Sequence, residues 1–220
     1  MIAALVPAKT LSAAKGRLAE LLSEDERRRL ALAMLEDVLA ALAAVPRLAS
    51  VTVVSPDREA LDRARSLGAD AIEEPPSSRG INQALSHASA ELVARGADSL
   101  LVLVADLPGV LPADLEAVLD ALPERGIALV PTDDRGTGAL ALRPPGVITF
   151  RYGRHSSVLH KREAAARGIP ARVLHLDSLA HDVDEPSDLE RLLATPADLA
   201  SSRLLHELGV AGRLAAGRPV

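Results

Sequence analysis

Mostly apolar runs of four or five residues recur at 2–6, 51–54, 100–104, 127–130 and 171–174, and each is too short to make a helix. Runs of this length and composition read as strands buried on both faces. Longer stretches with helical character separate them at 23–44, 56–67, 81–94 and 112–122, the first opened by Ser23 and Glu26 at capping-box spacing. Strand and helix in alternation predict a single-domain three-layer α/β/α fold, with a mostly parallel sheet covered by helices on both faces. Residues 140–142 are a candidate further strand, and 156–167 and 186–193 further helices. No repeat or interdomain linker interrupts the pattern, so residues 1–195 are expected to form the domain and 196–220 a partly helical or mobile tail. Within that tail 204–208 can form a short helix, whereas 211–220 carries too little apolar surface to pack tightly.

Composition narrows the function classes. At 220 residues the chain is long enough for a substantial core, which excludes a coreless binding module. The 48% hydrophobic content is almost wholly Ala, Leu and Val, with one Tyr, one Phe and no Trp, so aromatic platforms for stacking single-stranded bases are nearly absent. A net charge of −5 also argues against a general polyanion surface, and no nucleic-acid partner is expected. Without Cys there is no thiolate nucleophile, disulfide or Cys-ligated zinc. No apolar run reaches the roughly 18 residues of a membrane span and no signal-like segment is present. The expectation is a cytoplasmic protein with no membrane partner.

In open α/β sheets, ligands collect beyond the carboxyl ends of the strands. The segments that follow the strands here are polar: Pro7-Ala8-Lys9-Thr10 through Lys15-Gly16-Arg17, Ser55-Pro56-Asp57, Ala105-Asp106-Leu107-Pro108 and Thr132-Asp133-Asp134-Arg135. Asp106 follows its strand directly, a natural Mg²⁺ position because hard cations prefer carboxylate oxygens; the alternative is a turn cap. Asp182 and Asp184 fall on one side of an extended backbone and can complete a metal shell, or Asp184 can cap the helix that follows. Lys9, Lys15 and Arg17 share one loop and can neutralise a triphosphate, or stand in solvent. Asn82 opens the helix after Gly80 and can read a nucleobase edge, or cap the helix.

The richest segment is 135–160, with Arg135-Gly136-Thr137-Gly138 and Tyr152-Gly153-Arg154-His155-Ser156-Ser157. Main-chain N–H groups at Gly136, Gly138 and Gly153 can approach an oxyanion, and Ser156 can open a helix whose N-terminus favours negative charge, or serve only as its cap. Phosphate and carboxylate are the natural guests. No Walker loop, dinucleotide fingerprint or nucleophile elbow is present. The six His residues show no metal-ligand spacing, and only their neighbours set His155 and His160 apart.

Taken in order, these pieces resemble the CofC/FbiD guanylyltransferases of coenzyme F-420 biosynthesis, relatives of the glycosyltransferase-A-like nucleotidyltransferases. The resemblance runs to about residue 193 and includes Val6-Pro7-Ala8-Lys9, Ala14-Lys15-Gly16-Arg17-Leu18, Gly80-Ile81-Asn82-Gln83-Ala84-Leu85, Ala105-Asp106-Leu107-Pro108, Gly136-Thr137-Gly138 and Asp182-Val183-Asp184-Glu185-Pro186. It implies transfer of GMP from GTP to a small phosphorylated three-carbon acid, with Mg²⁺ as cofactor and release of pyrophosphate. Asp106, Asp182 and Asp184 match the family's acidic metal positions, Lys15 and Arg17 its triphosphate loop, and Thr137, Gly153 and Ser156 its acceptor segments. Gly138 stands where many members have Asn, and Arg154-His155 replaces a Pro-containing turn, so acceptor identity is less marked than reaction type. The Gly-Thr-Gly form resembles the phosphoenolpyruvate users; 2-phospho-L-lactate and 3-phosphoglycerate are the alternative acceptors. The resemblance also raises hand-over of product to the next pathway enzyme, and Ala- and Leu-rich helix surfaces are compatible with a homodimer. Competing readings are a sugar-phosphate or molybdopterin-type nucleotidyltransferase and a non-catalytic nucleotide-binding protein.

Overall fold

The computed structural model describes residues 1–11, 15–195 and 198–216; Ala14 and residues 217–220 lie outside the described residues. Its centre is a seven-stranded sheet in the order β3-β2-β1-β4-β6-β5-β7. The strands are β1 (Ile2–Pro7), β2 (Leu48–Ser55), β3 (Asp70–Glu73), β4 (Ser99–Leu103), β5 (Gly126–Pro131), β6 (Thr137–Arg143) and β7 (Ala171–Val173). Pairing is parallel except at β6, which runs antiparallel to β4 and β5. The reversal is what makes 140–142 a true strand, and it puts the first residue of β6, Thr137, at the edge where β1, β2, β4 and β5 end.

Alternate residues of the central strands enter opposite cores. Ala4, Val6, Leu101, Leu103, Ala128 and Val130 pack under α1 (Glu24–Ala43), α2 (Arg58–Ser66) and α4 (Pro112–Ala121). Ala3, Leu5, Leu100, Val102, Ile127 and Leu129 meet α3 (Ile81–Ala94), Phe150, Tyr152 and Ala164 of α5 (Ser156–Ala166). Two apolar faces on one sheet require helices on both sides, the expected three layers. The Ser23/Glu26 capping box forms as the spacing predicts and starts α1.

Two strands depart from expectation. β3 has only Ile72 buried among its four residues, too little pattern to read from sequence, and its place in the sheet comes from parallel pairing with β2. β7 is an exposed edge strand rather than a buried one, which explains how Arg172 is accommodated at its centre.

A third apolar cluster lies on the outer side of α1, where Leu30 and Met34 meet Leu189 and Leu192 of α6 (Pro186–Ala194), Leu204 and Leu205 of α7 (Ala200–Glu207) and Val210 of α8 (Val210–Ala216). Residues 210–216 are thus helical where too little apolar surface was expected; the surface they pack on is supplied by α6 and α7. Asp37, buried in α1, accepts the backbone N–H groups of Ala200 at 2.6 Å and Ser201 at 3.0 Å, capping α7 from across the chain. No helix among the described residues is long and apolar enough to cross a membrane.

Candidate active site

β1, β2 and β4 end side by side, and the segments after them wall a cleft of about 520 Å³ with the N-terminus of α3. Its lining includes Lys9, Lys15, Gly80, Ile81, Asp106 and Asp184. Asp57 holds the cleft's outer loop: it accepts the Leu11 N–H at 2.9 Å and the Glu59 N–H at 3.0 Å, so one carboxylate both fixes the loop after β1 and caps α2. Gly80, whose φ of 85° suits glycine, is the N-cap of α3, and the helix has no acidic residue in its first turn, which leaves its positive end facing the cleft.

The acidic motifs converge. One carboxylate oxygen from each of Asp106, Asp182 and Asp184 can be chosen so that all three lie within 4.8 Å of one another. Val183, buried between the two later acids, donates its N–H to the Asp106 carbonyl at 3.1 Å and docks the segment on the end of β4. Asp184 is not a helix cap. Glu185 takes the N-cap position of α6, and Asp188 accepts the N–H groups of Asp184 and Glu185 at 2.9 and 2.7 Å. The Asp184 side chain is thereby left to face Lys15.

Lys15 has a side chain only 7% exposed, and its Nζ donates to Asp184 at 2.8 Å and Asp106 at 3.0 Å. Burial opposes its charge, but the two carboxylates outweigh burial and raise its pKa. Burial likewise opposes the Asp184 charge, and the Lys15 ammonium outweighs it to hold that pKa below the ordinary carboxylate value. Asp182 has no such relief: burial, then the charges of Asp106 and Asp184, push it up to about 6. Three crowded carboxylates with one ammonium between them form a hard-oxygen donor set of the kind that suits a divalent cation. Arg17 sits farther out, in an exposed pair with Glu185 at 3.0 Å.

The glycine- and hydroxyl-rich segments assemble beside this cluster, because β4, which leads to Asp106, lies next to β6, which begins at Thr137. Thr137 Oγ1 is 2.8 Å from Ser156 Oγ, and Ser157 donates its hydroxyl to the Arg135 carbonyl at 2.9 Å. Ser156 is the first residue of α5 rather than its cap; His155 holds the cap position, at φ 57°, without a side-chain bond. Gly153 has a φ of 130° and open space where a Cβ would point. Lys15, Arg135 and His155 are the non-glycine residues with positive φ among those described; Arg135 and His155 flank these segments and Lys15 reaches the acidic cluster, as backbone strain at functional sites commonly does.

Three sequence readings change. The Gly136 N–H is taken by Asp134 at 2.8 Å and does not face a ligand. A Cβ at Gly138 would collide with the Leu179 carbonyl oxygen, so this glycine is required by close packing of two backbones. Asn82 does not cap α3, and its amide is engaged within the chain: Oδ1 accepts the Tyr152 N–H at 2.7 Å and Nδ2 donates to the Tyr152 carbonyl at 2.9 Å. It ties the cleft's helix to the strand of chain that carries Gly153. The sequence reading set His160 apart by its neighbours but gave it no partner; it lies one helical turn beyond Ser156 and meets Thr137, and that i, i+4 spacing is the signal that could have paired it with the hydroxyl segment.

Comparison with known proteins shows the family and the fold. Residues 2–217 match the family model described as guanylyl transferase, CofC-like. The chain is 46% identical to a phosphoenolpyruvate guanylyltransferase of Sphaerobacter thermophilus over 86% of its own length and 91% of the relative's. It is 41% identical to the enzyme of that name from Rubrobacter xylanophilus, over 87% and 93%. Among solved structures, a nucleotidyl transferase from Methanothermobacter thermautotroptrophicus superimposes with a TM-score of 0.66 at 18% identity, covering 94% of this chain and 99% of that one, which shows a shared fold. The chain belongs to the CofC-like guanylyl transferase family.

Proposed function

We propose that the protein transfers GMP from GTP to phosphoenolpyruvate and releases pyrophosphate. The observation that carries this reading is the junction of a nucleotide-sized cleft, an Asp106/Asp182/Asp184 cluster and the Thr137/Gly153/Ser156 hydroxyl segment at one sheet edge, in a chain of this family. In the reaction, an oxygen of the acceptor phosphate forms a bond to the α-phosphorus of GTP as the bond to the departing pyrophosphate oxygen breaks. No protein nucleophile is needed. Lys9, Lys15 and Arg17 bring positive charge to the triphosphate side, where charge accumulates on the leaving group. Gly153 and Ser156, at the start of a helix with no acidic residue in its first turn, orient the acceptor's anionic groups.

Asp106 and Asp182, with Asp184, would hold Mg²⁺, which when bound would offset the phosphate charges. Lys15 supports that assignment, since it already neutralises the cluster from one side and leaves net negative charge for a cation.

The test is pyrophosphate release from GTP and Mg²⁺ with phosphoenolpyruvate, 2-phospho-L-lactate or 3-phosphoglycerate supplied separately. Release with phosphoenolpyruvate supports the reading. Preference for either other acid reassigns the acceptor, and silence with all three despite GTP binding favours a non-catalytic binder or another nucleotidyl acceptor.

A further inference from the structure

Thr137 and Ser156, buried at the start of β6 and α5, belong to a polar chain that runs on to a third buried residue. His160 is fully buried, and its Nε2 lies 2.9 Å from the main-chain nitrogen of Arg151, whose N–H it accepts. A ring nitrogen that accepts a main-chain N–H has no proton of its own, so in the neutral ring the proton is on Nδ1. Nδ1 faces Thr137 Oγ1 at 3.2 Å and donates to it. Thr137 Oγ1 in turn is 2.8 Å from Ser156 Oγ.

Counting protons then settles what the pair can do. The two hydroxyls hold two protons, and their mutual bond uses one, whichever oxygen donates. The other has no acceptor among the described residues. In the opposite tautomer Nδ1 would be an acceptor: it would take the Thr137 proton, Ser156 would donate to Thr137, and none would be left over. The tautomer of His160 therefore decides whether this pair presents a hydrogen-bond donor to a ligand.

We propose that His160 is a positioning residue that fixes Thr137 and Ser156 as a one-proton donor to an anionic oxygen of the acceptor phospho-acid. The inference rests on the proposed reaction and adds to it a residue outside the segments that hold the acceptor. Arg151, which sets the tautomer, adjoins Tyr152, which Asn82 clasps, so the same stretch of chain that leads to Gly153 is held from both sides.

Two substitutions separate the roles of the ring. His160→Gln keeps an acceptor for the Arg151 N–H but lacks a donor to Thr137; His160→Asn keeps a donor near the Nδ1 position. By pyrophosphate release, His160→Gln should raise the KM for phosphoenolpyruvate about tenfold, the scale of one hydrogen bond, while His160→Asn stays within about threefold and the KM for GTP does not move in either. In a Thr137→Val background His160→Gln should add no further effect, because its influence passes through that hydroxyl. An unchanged phosphoenolpyruvate KM in His160→Gln, or a full additional effect on top of Thr137→Val, would overturn the proposal. Long-range ¹H–¹⁵N NMR of the wild-type protein tests it without any variant: Nδ1–H with a bare Nε2 is expected, and the reverse tautomer rules it out. If the wild type turns over no phospho-acid, the reaction assignment itself falls; if it turns over and His160→Gln binds the acid normally, only this inference does.

Discussion

Val183 donates its backbone N–H to the carbonyl oxygen of Asp106 at 3.1 Å, and this bond joins two acidic motifs more than seventy positions apart. It sets the register in which Asp182 and Asp184 flank Asp106, with the Val183 side chain anchored in the apolar cluster of the C-terminal helices. The carboxyl cluster thus depends on packing at the end of the chain as well as on the sheet.

Asp106→Asn removes a charge from the cluster without changing its shape. Turnover should fall by about two orders of magnitude or more, the scale of losing a charge-stabilising group in a phosphoryl site, with an unchanged far-ultraviolet spectrum. A variant that retains full activity would remove Asp106 from the metal assignment.

Lys15→Ala leaves three carboxylates facing one another. In chelator the variant should be less stable by about 1–2 kcal/mol, a figure kept small because Asp184 is half exposed. Millimolar Mg²⁺ should restore more of the melting temperature in the variant than in the wild type. Equal Mg²⁺ responses in the two proteins would show that the cluster does not bind the ion.

Gly138→Ala places a methyl group against the Leu179 carbonyl. The expected cost is about 1–3 kcal/mol in urea unfolding, typical of overpacking. A variant of wild-type stability and raised acceptor KM would instead make Gly138 a substrate-binding position.

Asp37→Ala uncaps α7, and about 1–2 kcal/mol of stability should go with it. Limited proteolysis is the direct check: cleavage near residues 195–200 should accelerate while cleavage of the sheet region does not. Uniform protection would show that the apolar contacts of Leu204, Leu205 and Val210 hold the tail without the cap.

Burial pushes the His160 pKa down from 6.5 to about 4. The folded state therefore binds its proton less readily than the unfolded chain. Stability from this group is complete above about pH 6.5 and declines as pH falls toward 4, by up to about 3 kcal/mol. Urea midpoints measured between pH 7 and 4.5 should drop less in His160→Asn than in the wild type. Parallel curves would mean that His160 titrates normally.

The layered fold was legible because the strands of the sheet interior are short, apolar and separated by well-marked helices. β3 was hidden by having one buried residue, and the helical tail by taking its apolar partner from α1, far away in sequence. Asp106, Asp182 and Asp184 could be read because each sits beside a strand end or a helix start, where backbone direction is constrained. The uses of Gly136, Gly138 and Asn82 could not. Gly138 and Asn82 answer to residues brought close only by folding, Leu179 through backbone packing and Tyr152 through the loop before α5, whereas Gly136 answers to its near neighbour Asp134 through a local turn that composition alone does not specify.

The most direct measurement is the identity of the product after incubation with GTP, Mg²⁺ and phosphoenolpyruvate, read by mass and ³¹P NMR. The expected result is GMP joined through a phosphoanhydride to phosphoenolpyruvate, with one pyrophosphate per product. Free GMP with unmodified phosphoenolpyruvate, or unconsumed GTP under conditions where it binds, would contradict guanylyl transfer to this acid.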